Sequence, residues 1–117
     1  MENGADFEGT WGAIEAEFEG ERAPAEFTSH AEVELRAGNY FVRYGGVTAD
    51  QGTYFVDEQG LTLVGMKGPN AGKTIPCLHK FAGGDLVVCY GLSGRRPARF
   101  HTGPGSQTYL ATYRRRA

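Results

Sequence analysis

Cys77 and His79 stand two residues apart in a stretch rich in apolar residues, so an extended backbone puts both on one face. A thiol beside an imidazole is the smallest set that could perform nucleophilic catalysis. No device for stabilising an oxyanion accompanies the pair, and same-face neighbours at this spacing occur in any strand. A buried thiol beside a packed histidine is the preferred reading. The stretch Gly68-Pro69-Asn70-Ala71-Gly72-Lys73-Thr74 superficially resembles a phosphate-binding loop. That loop needs four residues between its glycines and a helix after it. Here there are three, and Thr74-Ile75-Pro76 begins a strand. His30, His79 and His101 lack the short spacing of a metal site. Arg95, Arg96 and Arg99 surround a loop that ends in Phe100, a pairing that suits single-stranded nucleic acid. The cluster is local and the chain is acidic overall, with a net charge of -2, so nucleic acid is not expected.

What remains is binding chemistry. Tyr40, Tyr44, Tyr90 and Tyr109 offer rings that bury apolar surface and hydroxyls that orient a ligand. Arg95, Arg96 and Arg99 would meet a carboxylate or phosphate head.

These residues are positioned by a series of short strands. Alternating or apolar runs separated by glycine-rich turns predict strands at 9–19, 31–36, 40–44, 52–57, 61–66, 74–81, 86–90 and 108–115. Eight strands in so short a chain predict an all-β fold, an antiparallel up-and-down β-barrel. The connections after 31–36, 52–57 and 74–81 are tight, that around Gly45-Gly46 is intermediate, and the others are long. Up-and-down order gathers the tight turns at a closed end, where Trp11 lies, and the long loops around a mouth. Arg22, Lys67, Lys73, Arg95, Arg96, Arg99 and His101 fall in mouth loops, which predicts a cationic rim. Pro24-Ala25-Glu26-Phe27 predicts a helical turn long enough to fold over that opening.

The faces of the first strand are open. Trp11, Ala13, Glu15 and Glu17 share one parity; Ile14, Ala16 and Phe18 share the other. A bulge near Gly12 would put both Trp11 and Ile14 inside, and this is preferred. Without it Glu15 and Glu17 point inward.

With 117 residues the chain suits one domain, expected over 9–117 after a flexible tail at 1–8. The acidic start Met1-Glu2-Asn3-Gly4-Ala5-Asp6 is unlike a secretory signal, and no apolar run approaches the roughly 20 residues of a membrane span. A cytoplasmic protein is expected. Cys77 and Cys89 make no disulfide framework. With a two-residue turn at Gly83-Gly84, Cys77 opposes Tyr90 and Cys89 opposes Leu78, so the thiols point to opposite faces. Charge is lopsided: ten acids and one arginine up to Glu34, six arginines and no acid from Arg95 onward. Pairing of the first and last strands would set Glu15, Glu17 and Glu19 along a partner ending in Arg114, Arg115 and Arg116. Apolar residues on both faces at Phe41, Tyr54, Phe55 and Val56 suggest an outer contact between two copies of the chain.

Gly9-Thr10-Trp11 resembles the signature of lipocalins and fatty-acid-binding proteins. The ordered set of Gly52-Thr53-Tyr54, Phe81-Ala82-Gly83-Gly84-Asp85-Leu86, Cys89, Arg96-Pro97-Ala98-Arg99-Phe100 and Tyr113-Arg114-Arg115 is similar to short bacterial lipocalin-like domains. The resemblance implies a calycin-like barrel with no established activity, and a basic residue over Trp11: Arg115, with Arg114 the alternate. The functional expectation is a non-enzymatic protein, without cofactor or metal, that takes a small hydrophobic or amphipathic anionic ligand such as a lipid into the barrel mouth. The alternative is an interaction module, a homodimer with a side-chain-filled barrel.

Overall fold

The structure, a computed structural model, describes residues 4–116; residues 1–3 of the expected tail and residue 117 lie outside the described residues. Nine strands follow in order: β1 Gly9–Phe18, β2 Glu21–Arg22, β3 Ala31–Arg36, β4 Asn39–Tyr44, β5 Val47–Asp57, β6 Gly60–Lys67, β7 Thr74–Ala82, β8 Asp85–Gly91 and β9 Thr108–Arg115. Two helical turns, α1 Gly4–Phe7 and α2 Ala25–Thr28, flank β1 and β2. From β3 onward each strand pairs antiparallel with the next, β3 also pairs with β1, and β9 returns to β1 from Trp11↔Arg115 to Phe18↔Tyr109. The result is a closed eight-stranded antiparallel up-and-down β-barrel, with β2 a two-residue addition to β1. Ala37-Gly38, Gly45-Gly46 and Gly83-Gly84 all have positive φ at both positions, the geometry whose twist matches a two-residue hairpin.

A bulge falls between Ala13 and Glu15. Before it Trp11 and Ala13 face the core. After it Ala16 opposes core residue Ala111, which leaves Glu15 and Glu17 on the outer side. The bulge thus lies at Ile14 rather than Gly12, and Ile14, as the extra residue, stays 37 % exposed instead of entering the core. Closure also separates the charges expected to pair. In an antiparallel match the start of β1 meets the end of β9, so Arg114 opposes Gly12 while Glu15 and Glu17 oppose Thr112 and Leu110. Glu15 pairs with Arg22 at 3.3 Å, Arg114 with Asp85 at 3.0 Å, and Arg116 with Glu32 at 3.6 Å.

At the closed end the described part of the expected tail, residues 4–8, is packed against the barrel. Phe7 is 0 % exposed and packs edge-on against His79 and tilted against Phe81, at ring distances of 4.9 and 5.2 Å. The Trp11 indole donates to the Phe7 carbonyl at 2.9 Å. The Arg115 guanidinium lies 4.2 Å above the indole and donates to the carbonyls of Asp6 and Glu8. One large apolar residue among Glu2, Asn3, Asp6 and Glu8 conceals this anchor in the sequence, because it has no period to read.

At the other end the segment 92–107, apart from Leu92, does not line the mouth. It folds back over the outside of β7 and β8. Alternation turns Cys89 outward from Val88 and Tyr90, yet Cys89 is buried, with its thiol directed at the His101 carbonyl at 3.8 Å. Lys80 rests on the Phe100 ring at 4.6 Å, and Thr102 ties the segment to Gly20 and to the Glu17 carboxylate. Tyr54 and Val56 pack in the core, so only Phe41 and Phe55 of the suspected contact surface face outward. Among the described residues no helix is long and apolar enough to cross a membrane.

Candidate functional site

The inner faces of the strands do not fill the barrel. A cavity of about 170 Å³ remains at the mouth end. Its wall is mostly apolar: Val42 from β4, Leu63 from β6, Ile75 from β7, with Leu92 at the rim and Phe27 from α2. The expected helical turn over the opening therefore exists, and Phe27 is the part of it that reaches the interior. Tyr40, Tyr90, Tyr109 and Tyr113 supply rings to the same wall.

The polar groups are few and organised. Tyr90 and Tyr113 share a hydrogen bond between hydroxyls at 2.7 Å, and the Tyr90 and Tyr109 rings lie 5.4 Å apart. Burial raises the pKa of each of these three phenols above its ordinary value, so they are neutral donors at physiological pH. On the opposite wall Tyr40 donates to Asp50 at 2.9 Å. Burial first, and that hydrogen bond second, hold its phenol protonated too. Asp50 accepts two further bonds from Asn70, from the backbone N–H at 3.2 Å and from the side-chain amide at 3.0 Å. Two glycines make this cluster possible. A Cβ on Gly52 would stand 2.7 Å from the Tyr40 ring and 2.0 Å from the Val64 carbonyl oxygen, and one on Gly68 would stand 2.7 Å from the Asp50 carboxylate.

Of the expected ligand residues, Tyr40, Tyr90 and Tyr109 meet in this cavity. Tyr44 does not line it: the ring is 44 % exposed and stacks on Phe27 at 5.7 Å, backing the cover rather than the interior. Arg95, Arg96 and Arg99 are absent from the wall, because the segment that bears them runs down the outside of the sheet. Arg96 has a different task. β6 and β7 pair only at Thr62↔Pro76, Leu63↔Ile75 and Val64↔Thr74. Below that ladder the Arg96 guanidinium bridges the carbonyls of Leu61 and Cys77 at 2.9 and 2.6 Å and donates to the Thr62 hydroxyl at 3.0 Å. Of the residues expected to form a cationic rim, Arg22, Lys67 and Lys73 stay exposed at the mouth end, with apolar residues among them. Phe18, Tyr44, Val47, Met66 and Leu92, all at mouth-end strand termini, are exposed apolar residues there.

No family model, curated protein or solved structure matches the chain. Among the described residues no group of three or more histidines, cysteines or acids is placed to hold a metal ion. Cys77 faces the core beside His79 on β7, but it is fully buried, and burial pushes its thiol up to about 12 against the smaller opposing pull of Arg96. Sequence reasoning missed Asp50, Asn70, Phe27 and Tyr113 as wall residues. Asp50 reads as a loop acid because its strand begins at Val47, and register shifts at Val42/Arg43 and Gln51/Gly52 erase the alternation that would reveal it.

Proposed function

We propose that the protein is a non-enzymatic binding module that takes one small, mostly apolar, ring-sized molecule into the barrel mouth beneath Phe27. The observation that carries this reading is the cavity itself. At about 170 Å³ it is close to the roughly 150 Å³ of an apolar protein cavity that accepts benzene. Its few convergent polar groups on an apolar wall are the usual composition of a small-molecule site. The resemblance to lipocalin-like barrels supports the same use, since an eight-stranded barrel has room for one small ligand. A long acyl chain exceeds this volume. An anionic head finds no counter-charge either, because no lysine or arginine is among the lining residues.

Benzyl alcohol is a suitable probe. It is expected to raise the melting temperature in proportion to the logarithm of its concentration above Kd and to shift the amide resonances of β4, β7 and β9. Val42→Phe, which fills the cavity, should abolish both effects while the barrel stays folded; palmitate should produce neither. Absence of any response in the wild-type protein, or an undiminished response in Val42→Phe, overturns the reading.

A further inference from the structure

The charge on the cavity wall is unbalanced. Two acids are among the lining residues, Glu32 and Asp50. The Glu32 carboxylate belongs to the outer face, where it meets Arg43 and Arg116, each at 3.6 Å. Asp50 faces inward, opposite Val42, and is 7 % exposed. Its three hydrogen bonds all come from neutral groups, the Tyr40 hydroxyl and the two donors of Asn70. No ion pair joins it to a cation among the described residues. A carboxylate removed from water without a countercharge is costly, by several kcal/mol before hydrogen bonds offset part of it. Those donors keep the group in place, yet about four lone-pair directions leave one open. Tyr40, Tyr90, Tyr109 and Phe27 line the same cavity as this carboxylate. Aromatic faces attract a cation, the more so where water is excluded.

We propose that the ligand is a small organic cation, a single ring or compact apolar group bearing a protonated amine, whose ammonium is received by the Asp50 carboxylate and the tyrosine faces. This rests on the cavity-binding reading above and adds the charge and the pole of the ligand. The ammonium supplies the countercharge that Asp50 lacks, and the ring occupies the apolar wall formed by Val42, Leu63 and Ile75. An anion of the same shape meets the carboxylate head-on and is rejected.

Three probes of nearly equal size separate the possibilities: benzylamine, benzyl alcohol and benzoate, titrated at about pH 7, where the amine is protonated and the acid ionised. Benzylamine is expected to bind at least tenfold more tightly than benzyl alcohol, and benzoate most weakly. Asp50→Asn should remove the preference for the amine and leave benzyl alcohol binding in place. Because that substitution also touches the Asn70 turn, the pole is read independently in the wild-type protein, from nuclear Overhauser contacts between the benzylic methylene and the Tyr40 ring. Equal affinity for amine and alcohol overturns the cation assignment while leaving the cavity reading intact, as does a preference that survives Asp50→Asn. Failure of all three probes to bind overturns both.

Discussion

At the scale of single residues, chemistry here follows from what surrounds a group more than from what it is. Cys77 beside His79 has the composition of a nucleophile and base, but the barrel interior withholds the thiolate. With the thiol pushed up to about 12 by burial, the ionised fraction near neutrality falls roughly a thousandfold below that of a free cysteine. Alkylation of the folded protein with iodoacetamide at about pH 7 should therefore modify Cys77 at least a thousandfold more slowly than a cysteine peptide, and mass spectrometry of a time course reads the rate directly. A rate near that of the peptide would return thiol chemistry to consideration. Trp11 and Arg115 show the opposite case. Their partnership was legible through the resemblance to lipocalin-like barrels, which implies a basic residue over Trp11; the register Trp11↔Arg115 then decides for Arg115 over Arg114 and sets the 4.2 Å stacking. The place of Arg96, expected at the mouth and found at the β6/β7 seam, was not legible, because nothing in a loop's composition says which side of a sheet it will cross.

At the scale of elements, the closed end depends on a helical turn that no periodicity announced. Glu8, just after α1, accepts hydrogen bonds from the Tyr54 hydroxyl and from the Ala37 N–H, the latter at 2.9 and 3.1 Å. Those bonds, Tyr54 first, hold its carboxyl below the ordinary carboxylate range. A carboxylate favoured in the folded state adds stability above its unfolded pKa, and that contribution disappears as pH falls through the lowered folded value. Glu8→Gln should then destabilise the protein by about 1 kcal/mol near neutrality, a figure reduced for the partial solvent exposure of the site. The difference between variant and wild type should shrink below about pH 4 and vanish at more acidic values. Urea midpoints measured across that range provide the check, and a gap that persists unchanged into acid would show that the carboxylate charge is not what secures α1. The hairpins, by contrast, were legible. Gly83-Gly84 sets Cys77 opposite Tyr90 and Leu78 opposite Cys89 as its two-residue length requires.

For the whole molecule, closure was readable from strand count and loop lengths, whereas the interior was not. Whether a barrel is open or filled depends on where a few glycines and bulges let rings lie, as Gly52 does for Tyr40. Closure also leaves the wall uneven. β1 and β9 pair along seven positions, while β6 and β7 pair along three, one of them Pro76, which has no N–H to donate. The Arg96 guanidinium occupies the carbonyls just beyond. Local opening in such a sheet begins where the fewest ladder bonds must break. Amide hydrogen exchange should therefore proceed from β6 and β7 at lower free energy than from β1 and β9. Arg96→Ala should widen that gap, costing about 1.5–3 kcal/mol because hydrogen bonds from a charged donor are lost at a partly buried seam. It should leave benzyl alcohol binding unaltered, since Arg96 lies outside the cavity wall. Uniform protection around the barrel would refute the weak seam. Loss of probe binding in Arg96→Ala with the seam still protected would restore the arginine to the ligand's side of the sheet.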